Sequence, residues 1–294
     1  MSAQLPDIFL PTAMPLRTSL PATPLRVLLL AVAANVLASG AEAQTPPAGG
    51  AQGTRLLRQP TVSATSIAFA YAGDIWVVPR EGGDARRLTS FQGVESSPRF
   101  SPDGRQVAFT GAYAGNQDVY VVPTEGGEPR RLTWHPGPDI VRGWTPDGKQ
   151  VVLTSGRTNA PTAVPKLWTV STGGGLPKPL PIPRVYKGSH SSDGRRIAYQ
   201  AIAPTDVEWR NDRGGQAQPI RILEVADLSV TKLPWTGSND TDPVWVGDRV
   251  FFLSDRDLAV NVYSYTPATK QVVQLTRFRD FDAKALDGGA GAVV

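Results

Sequence analysis

"FSPDGRQVAFT", residues 100–110, consists of an apolar residue, a Ser-Pro-Asp-Gly turn, a polar pair and a short apolar run. The chain repeats this pattern as "WTPDGKQVVLT" at 144–154 and as "SHSSDGRRIAYQ" at 189–200. The aspartates of the three copies are 44 and 46 residues apart. Self-similarity at a fixed period of about 20–50 residues is the sequence signature of repeat architectures, so this stretch decides the fold class.

A second segment repeats with the same period. "DIWVVPREGGDARRLTS" at 74–90 matches "DVYVVPTEGGEPRRLTW" at 118–134. Looser versions occupy the same slot at 166–181, 219–235 and 261–277. With the apolar run that precedes each slot, the pattern predicts five units between residues 56 and 281.

Each unit has the composition of a four-stranded antiparallel sheet. "QVAFT" and "DVYVV" are apolar runs of strand length, and "PTEGGEP" supplies the Gly and Pro of a hairpin. "RRLT" is predicted to be a short outer strand whose arginines keep the sheet edge hydrated. Four strands in such a period are typical of a WD40-like blade. The predicted fold is therefore all-β, a β-propeller over residues 56–294 with five complete blades and the start of a sixth.

The repeated turn is predicted to be structural. Proline presets φ, the Asp carboxylate caps the turn, and Gly releases the chain into the next strand. The alternative is that Asp103, Asp147 and Asp193 are metal ligands or catalytic acids. Their repetition in register in successive units favours the structural interpretation.

The end of the chain is predicted to begin a sixth unit. In "FDAKALDGGAGAVV", residues 281–294, Asp287-Gly288 is interpreted as the turn, with a strand from Val293. The propeller is therefore expected to be incomplete at this end. An open blade edge favours association between copies of the chain.

The N-terminus predicts export. Arg17 and Arg26 precede the apolar stretch 27–40, and "AEA" ends at Ala43. A basic region, an apolar core and an A-x-A site are typical of a secretory signal peptide, with cleavage after Ala43. The alternative is an uncleaved N-terminal anchor, but the core is shorter than the roughly 20 apolar residues of a membrane span.

The domain organisation follows from this signal. Residues 1–43 are predicted to be the signal peptide, 44–55 a flexible linker, and 56–294 the propeller. Translation from Met14 is an alternative to Met1. After cleavage the chain is expected to have no stable membrane span and, in a two-membrane bacterium, to be periplasmic.

Composition disfavours several functions. The formal net charge is +4 without clustered basic residues, so a nucleic-acid partner is not expected. Absence of cysteine from the sequence excludes a disulfide framework and a thiol nucleophile. His135 and His190 lack metal-binding spacing, and His190 is interpreted as a turn residue. No catalytic, cofactor-binding or metal-binding residue is predicted.

One insertion departs from the period. "TDVEWRNDRGGQAQ", residues 205–218, contains Trp209, Arg210 and Arg213, which form the candidate contact loop. Insertions into a repeat map to loops and often carry binding residues. The alternative is that this insertion has no function. Six further tryptophans are predicted to lie in blade cores and between blades: Trp76, Trp134, Trp144, Trp168, Trp235 and Trp245.

Longer segments resemble the N-terminal propeller region of tricorn-type proteases. They include the stretch 56–104, "VRGWTPDG" at 141–148, "WRNDRGG" at 209–215, "WVGDRVFFLSDRD" at 245–257 and "NVYSYTPATKQVVQLTRFRDFD" at 261–282. The resemblance implies a six-bladed propeller in a larger exported serine peptidase. The catalytic Ser, His and Glu of that family lie in later domains, so none can be assigned here.

The resemblance also implies a function and partners. A non-catalytic propeller would form a channel or gate for peptides or unfolded polypeptide and contact the remaining domains of the parent protease, which is expected to be a homo-oligomer. The alternative is a TolB-like periplasmic binding propeller with a scaffold role. The blade motif is common to all three families, and a prolyl-oligopeptidase-like propeller is the third and weaker interpretation.

Overall fold

The computed structural model describes residues 56–158, 164–203, 211 and 213–294. The predicted signal peptide and linker, together with Trp209 and Arg210, lie outside these residues. Within them the regular elements are β-strands, which confirms the all-β fold class. No helix in the described ranges is long and apolar enough to cross a membrane.

Five four-stranded antiparallel sheets follow one another along the chain, and each corresponds to one predicted blade. Blade 1 contains β1 (Arg58–Val62), β2 (Ser66–Tyr71), β3 (Asp74–Pro79) and β4 (Arg86–Arg87). Blade 2 contains β5 (Glu95–Phe100), β6 (Gln106–Gly111), β7 (Asp118–Pro123) and β8 (Arg130–Arg131). Blade 3 contains β9 (Asp139–Trp144), β10 (Gln150–Ser155), β11 (Lys166–Ser171) and β12 (Lys178–Pro179).

Blade 4 has a longer loop between its second and third strands, and blade 5 has longer strands. Blade 4 contains β13 (Lys187–His190), β14 (Arg196–Gln200), β15 (Arg221–Glu224) and β16 (Val230–Lys232). Blade 5 contains β17 (Asp240–Val246), β18 (Arg249–Asp257), β19 (Ala259–Thr266) and β20 (Gln271–Gln274). The strands β21 (Gly288–Gly289) and β22 (Ala292–Val293) form a separate two-stranded sheet.

The first strand of each blade is the inner strand of a ring. β1 contacts β5, β5 contacts β9, β9 contacts β13, and β13 contacts β17. β21 contacts both β17 and β1. The inner layer therefore closes through six strands, although only five sheets have four strands.

The hydrophobic core lies between neighbouring blades. Apolar side chains of the two middle strands of one blade pack against those of the next, as between blades 1 and 2, where Ile75 meets Phe109 in one cluster. Phe109 and Phe252 are fully buried, and burying one such side chain stabilises the fold by about 1.5–3 kcal/mol. Similar clusters lie between the later blades, so each apolar run packs two sheets together.

The three Asp-Gly turns have the predicted hydrogen bonds. The carboxylate of Asp103 accepts from the Ser101 hydroxyl at 2.6 Å and from the Arg105 amide at 3.1 Å. Asp147 and Asp193 repeat both contacts in blades 3 and 4. The following glycines have φ of 71°, 68° and 70°, which L-residues with a Cβ rarely adopt. Each of these carboxylates therefore accepts hydrogen bonds within its own turn, as the structural interpretation predicts.

The paired arginines of the outer strands do more than keep the edge hydrated. Arg87 binds Asp74 of its own blade at 2.8 Å, and Arg86 donates to the carbonyl of Thr124 in the next blade. Blade 2 repeats the arrangement, with Arg131 on Asp118 at 2.6 Å. One arginine therefore closes its own blade while the other connects it to its neighbour.

Two tryptophans depart from the prediction. Trp144, Trp168 and Trp245 are buried as expected, but Trp134 is 63% and Trp235 45% exposed. Both exposed residues follow an outer strand, in the loop that leads to the next blade, where no sheet covers them. The prediction that all six pack in cores is therefore wrong for these two.

The C-terminal turn is also placed differently. The sequence suggested a turn at Asp287-Gly288 and a strand from Val293. Instead Gly288 begins β21, and the hairpin turns at Ala290-Gly291. A Cβ on Gly289 would lie 2.4 Å from the Val62 carbonyl oxygen, so only glycine lets β21 approach β1 this closely.

Candidate functional site

A cavity of about 380 Å³ lies where the inner strands converge. Every blade contributes to its wall, and so does the β21–β22 sheet. Turn residues, among them Ser101, Pro102, Pro146 and Ser191, line one part of it. Because each inner strand has one edge without a strand partner in its own sheet, backbone and polar side chains face this space.

Three inner strands contain a bulge at the same place. Gln59, Ser97 and Asp242 have φ of 51°, 53° and 50°, and each precedes a proline. The pairing with the second strand shifts at each of these positions. A non-glycine residue in this left-handed backbone conformation costs about 1–3 kcal/mol and is tolerated only where the surrounding structure imposes it. Such bulges redirect the side chains that follow, here at the wall of the cavity.

Side chains from the neighbouring blade hold two of these bulges. The amide of Ser97 donates to Gln59 Oε1 at 2.7 Å. The amide of Asp242 donates to Gln200 Oε1 at 3.3 Å. Neighbouring blades are thus joined here by side chains, because they are different sheets and share no backbone ladder.

The cavity wall contains charges of both signs. Arg99 Nε lies 3.5 Å from Asp287 Oδ1 and 3.3 Å from the carbonyl oxygen of Arg142. Lys187 forms an ion pair with Asp242. Burial raises the pKa of Asp287, while the positive charge of Arg99 opposes that rise.

Arg142 is the third cation of the wall. Its Nε donates to Thr154 Oγ1 at 2.9 Å, and its guanidinium carbon is 4.7 Å from the centre of the Tyr186 ring. Burial lowers the pKa of Arg142 and repulsion from Arg99 adds to this, while Tyr186 and the negative charge of Asp242 oppose it. In the part of the chain that the structure describes, no carboxylate forms an ion pair with it.

His190 is the last residue of β13 and lines the cavity, so its interpretation as a turn residue was wrong. Burial lowers its pKa to about 4. The neighbouring hydroxyls have other partners: Ser189 Oγ accepts from the Trp245 amide at 3.1 Å, and Ser191 Oγ donates to Asp193. The imidazole is therefore neutral near pH 7, and both hydroxyls are used by the fold.

The candidate contact loop is described only at its end. Arg213 binds Asp255 of blade 5, with Nη1 2.8 Å from Oδ2 and Nη2 3.1 Å from the carbonyl oxygen. Its side chain remains 39% exposed. Arg213 therefore connects the loop after β14 to blade 5, while Trp209 and Arg210 lie outside the described residues.

The cavity residues Arg99, Arg142 and Lys187 were missed by the sequence prediction. A signal was present, since each is a basic residue in the short strand before a Ser- or Thr-initiated Asp-Gly turn.

The model of the tricorn protease N-terminal beta propeller domain matches residues 54–294. The chain belongs to this family. Tricorn protease homolog 1 of Streptomyces coelicolor is 33% identical over 219 residues, which are 71% of this chain and 20% of that protein. The crystal structure of the tricorn protease superposes with a TM-score of 0.68 at 25% identity, over 79% of this chain and 23% of that one. The propeller thus spans about a fifth of these tricorn relatives.

TolB proteins are also similar to parts of this propeller. A TolB homolog of Chlorobium luteolum is 43% identical over 53 residues, 18% of this chain and 12% of that protein. The structure of putative TolB from Agrobacterium tumefaciens has a TM-score of 0.61 at 22% identity, covering 75% of this chain and 80% of that one. This structural likeness shows a common fold.

Proposed function

We propose that the chain is the non-catalytic β-propeller portion of an exported tricorn-like serine peptidase, in which it forms a channel or gate for peptides. The observation that carries the proposal is the central cavity, to which all five blades and β21–β22 contribute. Family membership supports it, because the matching family model is that of a protease propeller domain. The parent protein's other domains and further copies of the chain are its proposed partners.

We also infer that β21 and β22 are the two inner strands of a sixth blade. β21 occupies the inner position between β17 and β1. Leu286 belongs to one apolar cluster with Val244 and Leu253 of blade 5, against which Val293 packs. A sixth blade would give the channel six walls of the same kind.

A substitution that fills the channel tests the gate. Gly143 lies in β9 on the cavity wall, and a Cβ there would meet nothing within 4 Å. Gly143→Trp should therefore add its Cβ without a clash and place an indole at the cavity wall. Val230→Trp is the matched control, because Val230 is 48% exposed on the outer strand of blade 4.

The measurement is fluorescence anisotropy of labelled unstructured peptides of about ten residues, whose extended length of about 35 Å suits a channel. The unmutated chain and Val230→Trp should bind the peptides with equal affinity. Gly143→Trp should bind at least about tenfold more weakly, a difference of about 1.4 kcal/mol. Equal binding by all three proteins would contradict the gate.

The second candidate is a TolB-like binding propeller that acts as a scaffold, which the similarity to TolB sequences favours. In that case a partner would bind the loops rather than the channel. Trp209→Ala and Arg210→Ala would then abolish peptide or protein binding, whereas Gly143→Trp would leave it unchanged. The same anisotropy assay separates the two functions.

Export is tested separately. The full chain, expressed in a two-membrane bacterium, should appear in the periplasmic fraction with Gln44 as its first residue, as cleavage after Ala43 requires. N-terminal sequencing of the purified protein measures this. A cytoplasmic protein that retains residues 1–43 would refute export and leave the channel proposal intact.

A further inference from the structure

Arg142 differs from the arginines that bind an aspartate of their own blade. Arg131, Arg157 and Arg256 each bind a buried carboxylate, at 2.6, 2.6 and 3.2 Å. Arg142 has a hydroxyl and an aromatic ring beside it instead. A guanidinium has five N–H donors, and Thr154 accepts from one of them, so donors remain for a ligand.

The surrounding wall adds to this positive potential. Arg99 and Lys187 also line the cavity, and the carboxylates on its wall are those of Asp242 and Asp287. Lys187 is paired with Asp242. The contact between Arg99 and Asp287 is longer, with 3.5 Å between Arg99 Nε and Asp287 Oδ1. With His190 neutral near pH 7, three cations face two carboxylates, and the surplus positive charge lies in a confined space where it is poorly screened.

We propose that the central cavity binds a small oxyanion, a carboxylate, sulfate or phosphate group, at the guanidinium of Arg142 between Arg99 and Lys187. The planar guanidinium offers parallel N–H donors that match two oxygens of such a group. A cavity of about 380 Å³ has room for the anion and part of a larger molecule that carries it. The proposal concerns the cavity itself and does not depend on peptide passage.

Isothermal titration calorimetry on the whole chain tests this site. Citrate, succinate, sulfate and inorganic phosphate are titrated at equal ionic strength, with chloride as the reference anion. Tighter binding of citrate and succinate would identify an organic carboxylate as the ligand, and tighter binding of sulfate or phosphate an inorganic or phosphorylated one. If none of the four binds more tightly than chloride, the proposal is overturned.

Arg142→Met removes the charge and retains a long side chain. It should weaken anion binding at least about tenfold, the loss of one charged hydrogen-bond partner. Arg249→Gln is the control, since Arg249 is 52% exposed and 3.8 Å from Asp248; it should bind anions like the parent chain.

Asp242→Asn tests the same site in the opposite direction. It removes one carboxylate from the wall and frees Lys187, so anion binding should become tighter by about threefold or more. Asparagine tolerates the φ of 50° at this position, which keeps the bulge intact. Unchanged binding in both Arg142→Met and Asp242→Asn would show that the anion binds elsewhere and would overturn the assignment.

Discussion

The ion pairs inside single blades and the wall of the central cavity use the same residue types in different ways. Inside the blades, arginine and aspartate recur in register, as Arg87–Asp74 in blade 1 and Arg131–Asp118 in blade 2. In the cavity, basic residues occur in successive inner strands but contact different groups. The repeated charges pair within their own blade, whereas Lys187 and Arg99 pair with carboxylates of other blades or of the C-terminal hairpin, and Arg142 forms no ion pair within the described residues.

The strongest test of this contrast is to break a buried ion pair inside one blade. Asp240 is fully buried and accepts from Arg256, Ser238 and Ser254. Asp240→Ala should lower the free energy of unfolding by about 3–5 kcal/mol, because Arg256 stays buried without its partner. Urea denaturation measures the change. A loss below about 1 kcal/mol would mean that the pair behaves like an exposed one.

Ring closure is the next largest effect. Gly289→Ala would place its Cβ 2.4 Å from the Val62 carbonyl oxygen, so β21 and β1 must separate, at about 1–3 kcal/mol. Hydrogen exchange should speed up in both strands. Gly143→Ala, also on an inner strand but with open space around its Cβ, is the control. Equal stability of the two variants would disprove close packing of β21 on β1.

The neutral histidine of the cavity predicts acid sensitivity. The folded-state pKa of His190 is about 4, below the unfolded value of about 6.5, so the unfolded chain binds the proton first as the pH falls. Stability should therefore decrease by about 1–2 kcal/mol between about pH 7 and pH 5.

His190→Gln should remove most of this pH dependence, measured by urea denaturation at the two pH values. His135→Gln is the matched control, because His135 is the chain's other histidine and lies in a loop. Identical pH profiles for the parent chain and His190→Gln would show that other groups cause the sensitivity.

The smallest expected effect concerns the repeated turn. Asp103→Ala, Asp147→Ala and Asp193→Ala each remove the same two hydrogen bonds, so each should destabilise the fold by about 1 kcal/mol. Asp248→Ala, at a side chain 82% exposed, should change stability by less than about 0.5 kcal/mol. A marked difference among the three turn variants would indicate that one aspartate has a further role.

Local patterns of the sequence determined the blades. The Asp-Gly turns, the glycines with positive φ and the apolar runs all act within a few residues, so their structure follows from neighbouring chemistry. The family resemblance and the five four-stranded sheets were predictable for this reason. The exposure of Trp134 and Trp235 was not predictable, because a repeat position does not show which side of a loop the next blade covers.

Only the tertiary structure decided the cavity. Arg99 meets Asp287, and β21 meets β1, across most of the length of the chain. These contacts depend on how many blades the ring has and on how each inner strand is bulged, and neither is encoded in a local stretch. Arg142 acquires its significance in the same way, because its lack of an ion pair is a property of the neighbours that the closed ring brings to it.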